Sequence, residues 1–205
     1  MNHHLPTKRR GPGRETLDLI LRGAGAVLDQ QGFEGLSTTT VARACGVSTA
    51  TVYRHFPDKY AILKALFVHL QTARMEVLRP YYEAIAEGPD WRTPLAEATR
   101  KMWHLRRAEP GAQTSRRALQ TSPELWLWDQ RQNQEIADML ARSLRRRQPA
   151  LTAPKAAKLA LVCVHTSVSL LDLAGTLGPR QGRAVVDEII EMRAAYLAPH
   201  LDITS

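Results

Sequence analysis

Two short helical patterns meet at Gly46, and this arrangement leaves few possible folds for the first third of the chain. Glycine adopts the left-handed conformation at a helix end without a steric penalty. Ser37 precedes the first pattern and Ser48 precedes the second, and serine is a preferred N-cap. Pro57 follows the second pattern and cannot continue a helix. The sequence therefore predicts two brief helices at a sharp turn, the layout of a helix-turn-helix.

Helical periodicity also dominates the rest of the chain. Apolar residues three and four positions apart begin at Arg14, with Gly32 as the expected C-cap, and Asp58 is the expected N-cap of a long fourth helix. No stretch alternates as a strand would. We predict a basic arm over residues 1–13, a helix-turn-helix domain over 14–60 and a helical domain over 61–205. Helix breaks are expected at Gly88-Pro89, Pro110-Gly111, Ser122-Pro123, Pro149 and Gly178-Pro179.

Composition favours a partner rich in phosphate and a reducing compartment. The chain has 28 Lys and Arg against 20 Asp and Glu, a formal net charge of +8, although a basic surface also serves solubility alone. Cys45 and Cys163 are far apart, which argues against a disulfide framework or a metal site and for the cytoplasm. The apolar run 159–173 is shorter than the roughly 20 residues of a membrane span. No membrane association is expected.

Hydroxyl side chains cluster where the two short helices begin, and longer polar side chains follow. Backbone N–H groups at a helix N-terminus attract phosphate, and serine and threonine hydroxyls donate to phosphate oxygens. Tyr53, His55 and Lys59 add longer donors. Ser37 and Ser48 would also be selected as caps in a protein without a nucleic-acid partner, but a cap hydroxyl is still able to contact phosphate. We predict that the second helix of the motif lies in the major groove of a duplex.

Residues 32–66 resemble the DNA-binding domain of the TetR family of regulators. The matching features are GF before the second helix, VARACGVS across the turn, TVYRHF on the third helix and PDKYAIL at the start of the fourth. The resemblance implies an all-α homodimer that represses transcription. It also implies that the protein binds a palindromic operator in double-stranded DNA and is released when a small molecule binds the C-terminal domain. An activator of the same fold is an alternative.

The resemblance also assigns roles to individual positions of this chain. The base-contacting positions that it implies are Thr49, Ala50 and Arg54. Arginine can donate two hydrogen bonds to guanine, which contribute about 1–3 kcal/mol of discrimination. The positions that it implies for DNA-backbone contacts are Ser37, Thr38, Thr39, Ser48, Thr51, Tyr53, His55 and Lys59. The arm residues expected along the backbone or in the minor groove, or else in a solvated tail, are Lys8, Arg9, Arg10 and Arg14.

The C-terminal half carries no comparable motif, so its predicted site follows from the residues alone. Ligand cavities form where large apolar side chains are interleaved with a few polar groups. The candidate ligand-pocket residues are Met102, Trp103, Trp126, Met139 and His165. Each of them is equally suited to an ordinary core position. Arg106-Arg107 and Arg116-Arg117 are compatible with an acidic ligand, but solvated helix faces explain them more simply.

Two late segments are expected to pair with a second copy of the chain. Segment 156–177 is apolar nearly all round, and segment 183–201 is amphipathic, with Met192 and Tyr196 among the residues expected to face inward. Because the family pairs its last two helices with their symmetry mates, residues 155–201 or so are expected to form a homodimer. The predicted fold is thus all-α, with an N-terminal three-helix helix-turn-helix domain joined by a long helix to a C-terminal helical ligand-binding and dimerisation domain.

Two other function classes were weighed against a regulator. The sequence holds no helical metal motif, phosphate-binding glycine loop, nucleophile elbow or Cys/His pair, so we expect no enzyme, no metal site and no cofactor beyond a small-molecule effector of unknown identity. A non-specific nucleic-acid-coating protein would account for the charge. Such proteins use interleaved stacking aromatics, which this sequence lacks.

Overall fold

The computed structural model describes residues 12–119 and 123–202, and helices account for nearly all of them. Within these ranges there are nine helices and no strand. The helices are α1 Pro12–Gly35, α2 Thr38–Cys45, α3 Thr49–His55, α4 Lys59–Glu87, α5 Arg92–Ala108, α6 Ala112–Leu119, α7 Pro123–Arg147, α8 Ala153–Ala174 and α9 Pro179–Leu201. The predicted all-α class is confirmed.

The ends of α2 and α3 have the predicted caps. Ser37 Oγ accepts the backbone N–H of Thr40 at 3.0 Å, and Thr40 Oγ1 accepts the backbone N–H of Ser37 at 2.9 Å, which together form a capping box. Gly46 ends α2 with φ 67° and ψ 26°, in the left-handed region. Ser48 Oγ accepts the backbone N–H of Thr51 at 3.1 Å. Local hydrogen bonding therefore fixes the angle between the two helices.

The boundaries of α1 and α4 follow the same local chemistry. Asp58 caps α4, where its Oδ1 accepts the backbone N–H of Ala61 at 2.8 Å. Gly32 interrupts α1 with φ 68° and ψ −174°, at the position predicted as its cap. The helix begins at Pro12, two residues before the predicted start at Arg14, because proline fits the first turn of a helix. The arm predicted over residues 1–13 lies outside the described residues as far as residue 11.

Two buried apolar clusters make up the core, and α4 contributes to both. The first cluster contains residues of α1, α2, α3 and the beginning of α4, together with Ala118 and Leu119 of α6. The second joins the rest of α4 to α5, α7, α8 and α9. Trp91, at the start of α5, is 2% exposed and donates from its indole Nε1 to Asp202 at 2.8 Å. A single long helix thus connects the two packing units.

One face of α8 is buried and the opposite face is apolar and exposed. The buried stripe runs from Ala156 to Ala174 at helical spacing. Leu161, Val162 and Leu173 lie on the other side and are 39–50% exposed. Within a single copy this segment, although apolar nearly all round, is therefore buried on one side. By length and composition alone this helix could cross a membrane, but a core helix passes the same test, and the buried stripe of α8 packs in the core.

The outward apolar surface continues onto α9. Its buried residues include Ile189 and Leu197. Met192 and Tyr196, however, are each 39% exposed and do not face the core. They lie to one side of the buried stripe because residues at three-and-four spacing from Ile189 already fill the space against α5 and α8.

Candidate functional site

Helix α3 projects from the surface of the N-terminal unit. Of its seven residues only Val52 is buried, at 0% exposure, and Val52 anchors the helix in the core. Ala50, Tyr53, Arg54 and His55 are exposed, and Tyr53 is 56% exposed. A helix held by one inward residue and open along its remaining surface is able to enter the major groove of DNA.

A row of polar side chains runs along this exposed surface. Ser48, Thr51 and Arg54 are three residues apart, so they lie one above another on the helix. Ser48 Oγ and Thr51 Oγ1 are 2.9 Å apart, and Arg54 Nη2 donates to Thr51 Oγ1 at 3.4 Å. The long contact holds the guanidinium near the helix and leaves its other donors free for another acceptor. Thr49, the third implied base-contacting position with Ala50 and Arg54, is partly exposed at the start of α3.

The residues implied for DNA-backbone contacts have unequal surroundings. Thr39 is exposed at the start of α2, whereas Thr38 is 6% exposed and its side chain faces the core. Lys59 is half-buried, with its Nζ 3.5 Å from Glu34 Oε2 and 4.5 Å from the centre of the Phe33 ring. Both contacts lie at a partly exposed surface, where such contacts contribute little, so Lys59 is still able to act on a phosphate through its charge.

Two adjoining cavities share Arg74, Met102 and Arg106 as lining residues, and the first of them reaches Phe67 of the first packing unit. The first is bounded by α4, α5 and α6, and the second by α4, α5, α7, α8 and α9. Of the predicted ligand-pocket residues, Met102 lines both. Trp103 and Met139 are buried in the core, His165 is half-buried outside both cavities, and Trp126 is 47% exposed on α7.

Arg106 and Arg116 are buried, so the interpretation of their clusters as solvated faces is wrong for these two residues. Arg106 binds the carboxylate of Asp172 on α8. Arg116 Nε donates to both oxygens of Asp172 at 3.0 Å, and its Nη1 donates to Asp129 at 3.0 Å. Burial lowers the pKa of Arg106 to about 10, and Asp172 opposes that shift. These ion pairs join α5 and α6 to α7 and α8 across the cavity.

Arg74 lines the same cavities without a carboxylate among its hydrogen-bond acceptors in residues 12–119 and 123–202. Its Nη1 donates to Asn133 Oδ1 at 2.9 Å and to Gln71 Oε1 at 3.3 Å, two neutral amides. Burial, together with the charges of Arg116 and Arg106, lowers the pKa of Arg74 to about 9, and the charge of Asp129 opposes that shift. At neutral pH the guanidinium is still protonated. It is therefore a buried cation in a largely apolar surrounding.

The interpretation of the sequence missed Gln71 and Arg74, although their spacing contains a signal. Phe67, Gln71, Arg74 and Leu78 follow one another at helical spacing and are all buried. Two polar side chains therefore interrupt the apolar stripe of α4 in its middle. Buried polar groups require hydrogen-bond partners. Here other helices contribute to these partners, so the local sequence does not show them.

The wall of the first cavity is in direct contact with α1. Gly111, just before α6, packs against Gly25 so closely that a Cβ on Gly25 would lie 2.2 Å from the carbonyl oxygen of Pro110. Asp29 accepts the backbone N–H of Gly111 at 2.8 Å and the hydroxyl of Thr114 at 2.5 Å. Since α6 also carries Arg116, a shift of α6 at the cavity must displace α1.

In residues 12–119 and 123–202, no three His, Cys, Asp or Glu side chains converge on one point. Burial raises the pKa of the thiols of both Cys45 and Cys163. Neither cysteine therefore has an increased fraction of thiolate.

Comparison with known proteins adds two family models and several solved structures. The model described as bacterial regulatory proteins, tetR family, matches residues 20–66, and the one described as tetracyclin repressor-like, C-terminal domain, matches residues 90–197. The second match alone covers more than half of the chain.

Two solved structures cover almost the whole molecule. A TetR-family transcriptional regulator from Streptomyces coelicolor is 26% identical, covers 93% of this chain and 99% of its own, and superposes with a TM-score of 0.63. A TetR-family regulator from Mesorhizobium loti is 18% identical, covers 93% of this chain and 98% of its own, and superposes with a TM-score of 0.72. This second likeness shows the shared fold.

A curated relative matches in part. The HTH-type transcriptional repressor DrrR1 of Streptomyces coeruleorubidus is 32% identical over 103 residues, or 49% of this chain and 36% of that protein. The match therefore spans about a third of the relative's length. With the exposed helix of a helix-turn-helix, the two-unit helical fold and both family models in agreement, the chain belongs to the TetR family of bacterial regulatory proteins.

Proposed function

We propose that this protein is a transcriptional repressor that binds a palindromic operator as a homodimer and is released by a small molecule. The observation that carries the proposal is the surface of α3, where Ala50, Tyr53, Arg54 and His55 are exposed around a single buried anchor. The partner is double-stranded DNA, and the protein acts in the cytoplasm at the nucleoid. The family to which it belongs consists of regulators, and no catalytic role is proposed.

The outward apolar face of α8 and α9 supports a homodimer. Leu161, Val162 and Leu173 on α8 and Met192 and Tyr196 on α9 are large apolar side chains that a single copy leaves 39–50% exposed. Burying apolar area contributes about 25 cal/mol per Å², so a second copy packed on this face stabilises both. A two-fold axis there repeats α3 on the same side of the molecule, which matches the symmetry of a palindromic site.

The contact between α6 and α1 supports release by a ligand in the first cavity. The cavity is lined by Ser115 and Arg116 of α6, and the turn before α6 packs on Gly25 of α1 without an intervening side chain. A ligand that moves α6 therefore moves α1 and the helices packed on it. In a dimer, this motion changes the separation of the two α3 helices and lowers the affinity for an operator whose half-sites have a fixed spacing.

Footprinting of the purified full chain on DNA flanking its own gene tests the proposal. The expected result is a short protected palindrome at nanomolar protein, with protection lost in the Arg54→Ala variant. Arg79→Ala, which removes an exposed arginine from α4, is the matched control and should leave the footprint intact. Uniform protection along the fragment would indicate a coating protein instead, and transcription that rises with bound protein would indicate an activator.

A further inference from the structure

The buried charges around the first cavity do not balance. Arg74, Arg106 and Arg116 bring three cations, whereas the carboxylates that bind them come from two residues, Asp129 and Asp172. Arg116 binds both carboxylates, and Arg106 binds that of Asp172. Arg74 reaches Asp129 only through Asn133, whose Nδ2 donates to Asp129 Oδ2 at 3.3 Å. One positive charge is therefore left without a bound counter-charge among the described residues.

Unpaired hydrogen-bonding atoms lie beside that charge. Arg74 Nε, Gln71 Nε2 and Ser115 Oγ have no hydrogen-bond partner among the described residues, and all three side chains are more than nine-tenths buried. All three residues line the first cavity. The arginine and amide nitrogens are donors only, and the serine hydroxyl is able to donate. Because buried donors without a partner are costly, this set matches a ligand group that only accepts hydrogen bonds and carries negative charge.

Part of the lining of the first cavity is apolar. It consists of Phe67 and Leu70 on α4 and of Met102 and Leu105 on α5. This part of the lining offers no hydrogen bond to a polar ligand body, and it gains from burying hydrocarbon or an aromatic ring. The cavity thus combines cationic, donor-rich lining residues with apolar ones.

The second cavity extends the same character. It shares Arg74, Met102 and Arg106 with the first cavity. It is also lined by Arg193, which is 4% exposed. Arg193 Nη1 donates to Thr99 Oγ1 at 2.6 Å, and its Nε has no partner among the described residues. A further buried cation therefore faces the same region from α9.

We propose that the effector of this regulator is an amphipathic carboxylate whose anionic group binds Arg74, Gln71 and Ser115 and whose apolar body packs on Phe67, Met102 and Leu105. The inference rests on the proposed function, since it gives the chemistry of the small molecule that binds there. Arginine suits this task because its planar fork matches the two oxygens of a carboxylate. The bound anion would also remove the charge imbalance, so binding and stabilisation of the C-terminal unit are coupled.

Thermal unfolding and calorimetry of the full-length protein test the inference with defined probes. The probes are octanoate, decanoate and 4-phenylbutyrate, each compared with its neutral primary amide. At least one carboxylate should raise the melting temperature with the logarithm of its concentration and bind at least tenfold more tightly than its amide. Equal binding of acid and amide, or no response to any of the three carboxylates, would overturn the proposal.

Variants separate a ligand-binding role of Arg74 from a structural one. Arg74→Met should abolish the preference for the carboxylate and leave the melting temperature of the ligand-free protein unchanged or higher, because it removes a buried charge without a counter-charge. Arg79→Met on the exposed side of the same helix is the matched control and should keep the preference. A large drop in ligand-free melting temperature with an unchanged preference would make Arg74 structural and refute the inference.

A second variant protects the test against a folding defect. Ser115→Ala deletes one hydroxyl that has no hydrogen-bond partner among the described residues. It should lower the affinity for the tightest-binding carboxylate severalfold and leave the melting temperature of the ligand-free protein unchanged. Unchanged affinity in this variant would count against the proposal. Footprints recorded without any ligand keep the two proposals apart. A protein that protects a palindrome but ignores carboxylates contradicts only the effector chemistry, whereas a protein that binds no DNA contradicts the repressor function.

Discussion

Arg54 and Lys59 carry the same charge but differ in how the protein holds them. Arg54 is exposed on α3 and makes one long contact, to Thr51. Lys59 lies over the Phe33 ring and 3.5 Å from Glu34. With a single long contact, Arg54 is able to adjust to the edge of a base. Lys59 has two contacts within its own domain and acts mainly through its charge. Their contributions to DNA binding should differ accordingly.

We predict that Arg54→Ala lowers the affinity for the cognate operator by about 1–3 kcal/mol and has little effect on a random duplex, because a bidentate contact to guanine is lost. Lys59→Ala should weaken binding to both duplexes alike. It should also reduce the salt dependence of binding by about one released counterion. Fluorescence anisotropy on both duplexes at several salt concentrations measures the difference. Identical losses for the two variants on both duplexes would contradict this division of roles.

Single residues were predictable where their role is local. The serine and aspartate caps follow from side chains that bond within three positions of themselves, so both partners are neighbours in the sequence. The left-handed Gly46 follows from its missing Cβ. Arg74 and Arg116 were not predictable in this way. Their partners, Asn133 and Asp129, come from α7, and only the packing of separate helices makes these arginines buried. Long-range polar contacts carry no local signal.

At the scale of helices, the packing of α1 on the turn before α6 is the contact most sensitive to added volume. A methyl group on Gly25 would overlap the backbone of Pro110, and backbone cannot move aside as the end of a flexible side chain can. The hydrogen bonds from Gly111 and Thr114 to Asp29 hold the two elements at that distance. The contact therefore fixes the position of α6 relative to the helix-turn-helix.

We predict that Gly25→Ala destabilises the protein by about 1–3 kcal/mol, the usual cost of overpacking, and weakens the response of DNA binding to any effector. Gly13→Ala is the matched control on the same helix. Its added Cβ meets nothing within 4 Å, and alanine favours a helix over glycine by about 0.5–1 kcal/mol, so this variant should be neutral or stabilising. Denaturant unfolding compares the two, and equal stabilities would show that α1 and α6 separate easily.

Helix ends were predictable and helix faces less so. Glycine and proline pairs in the sequence coincide with the breaks after α4, before α6 and before α9, because these residues end helices for local steric reasons. The faces of α8 were not assigned correctly, since apolar residues occupy both its sides and periodicity cannot distinguish a core from an interface. The proposed dimer accounts for the side carrying Leu161, Val162 and Leu173.

For the whole molecule, the two packing units and the proposed dimer form one mechanical unit. Helix α4 belongs to both cores, and α6 packs on α1 while lining the cavity. A dimer interface on α8 and α9 fixes the C-terminal units against each other, so movements at the cavity are transmitted to the N-terminal units. Without that interface, each α3 would bind a half-site independently, and the gain from two linked contacts would be lost.

We predict that Val162→Glu converts the protein to monomers and lowers operator affinity toward that of a single half-site. Each copy would place a carboxylate without a partner in an apolar interface, at a cost of several kcal/mol per dimer. Leu127→Glu is the matched control. Leu127, like Val162, is an exposed apolar residue, with 50% exposure, but it lies on α7. Sedimentation velocity and binding to full and half operators measure both effects. A Val162→Glu protein that stays dimeric while Leu127→Glu dissociates would move the interface from α8 and α9 to α7.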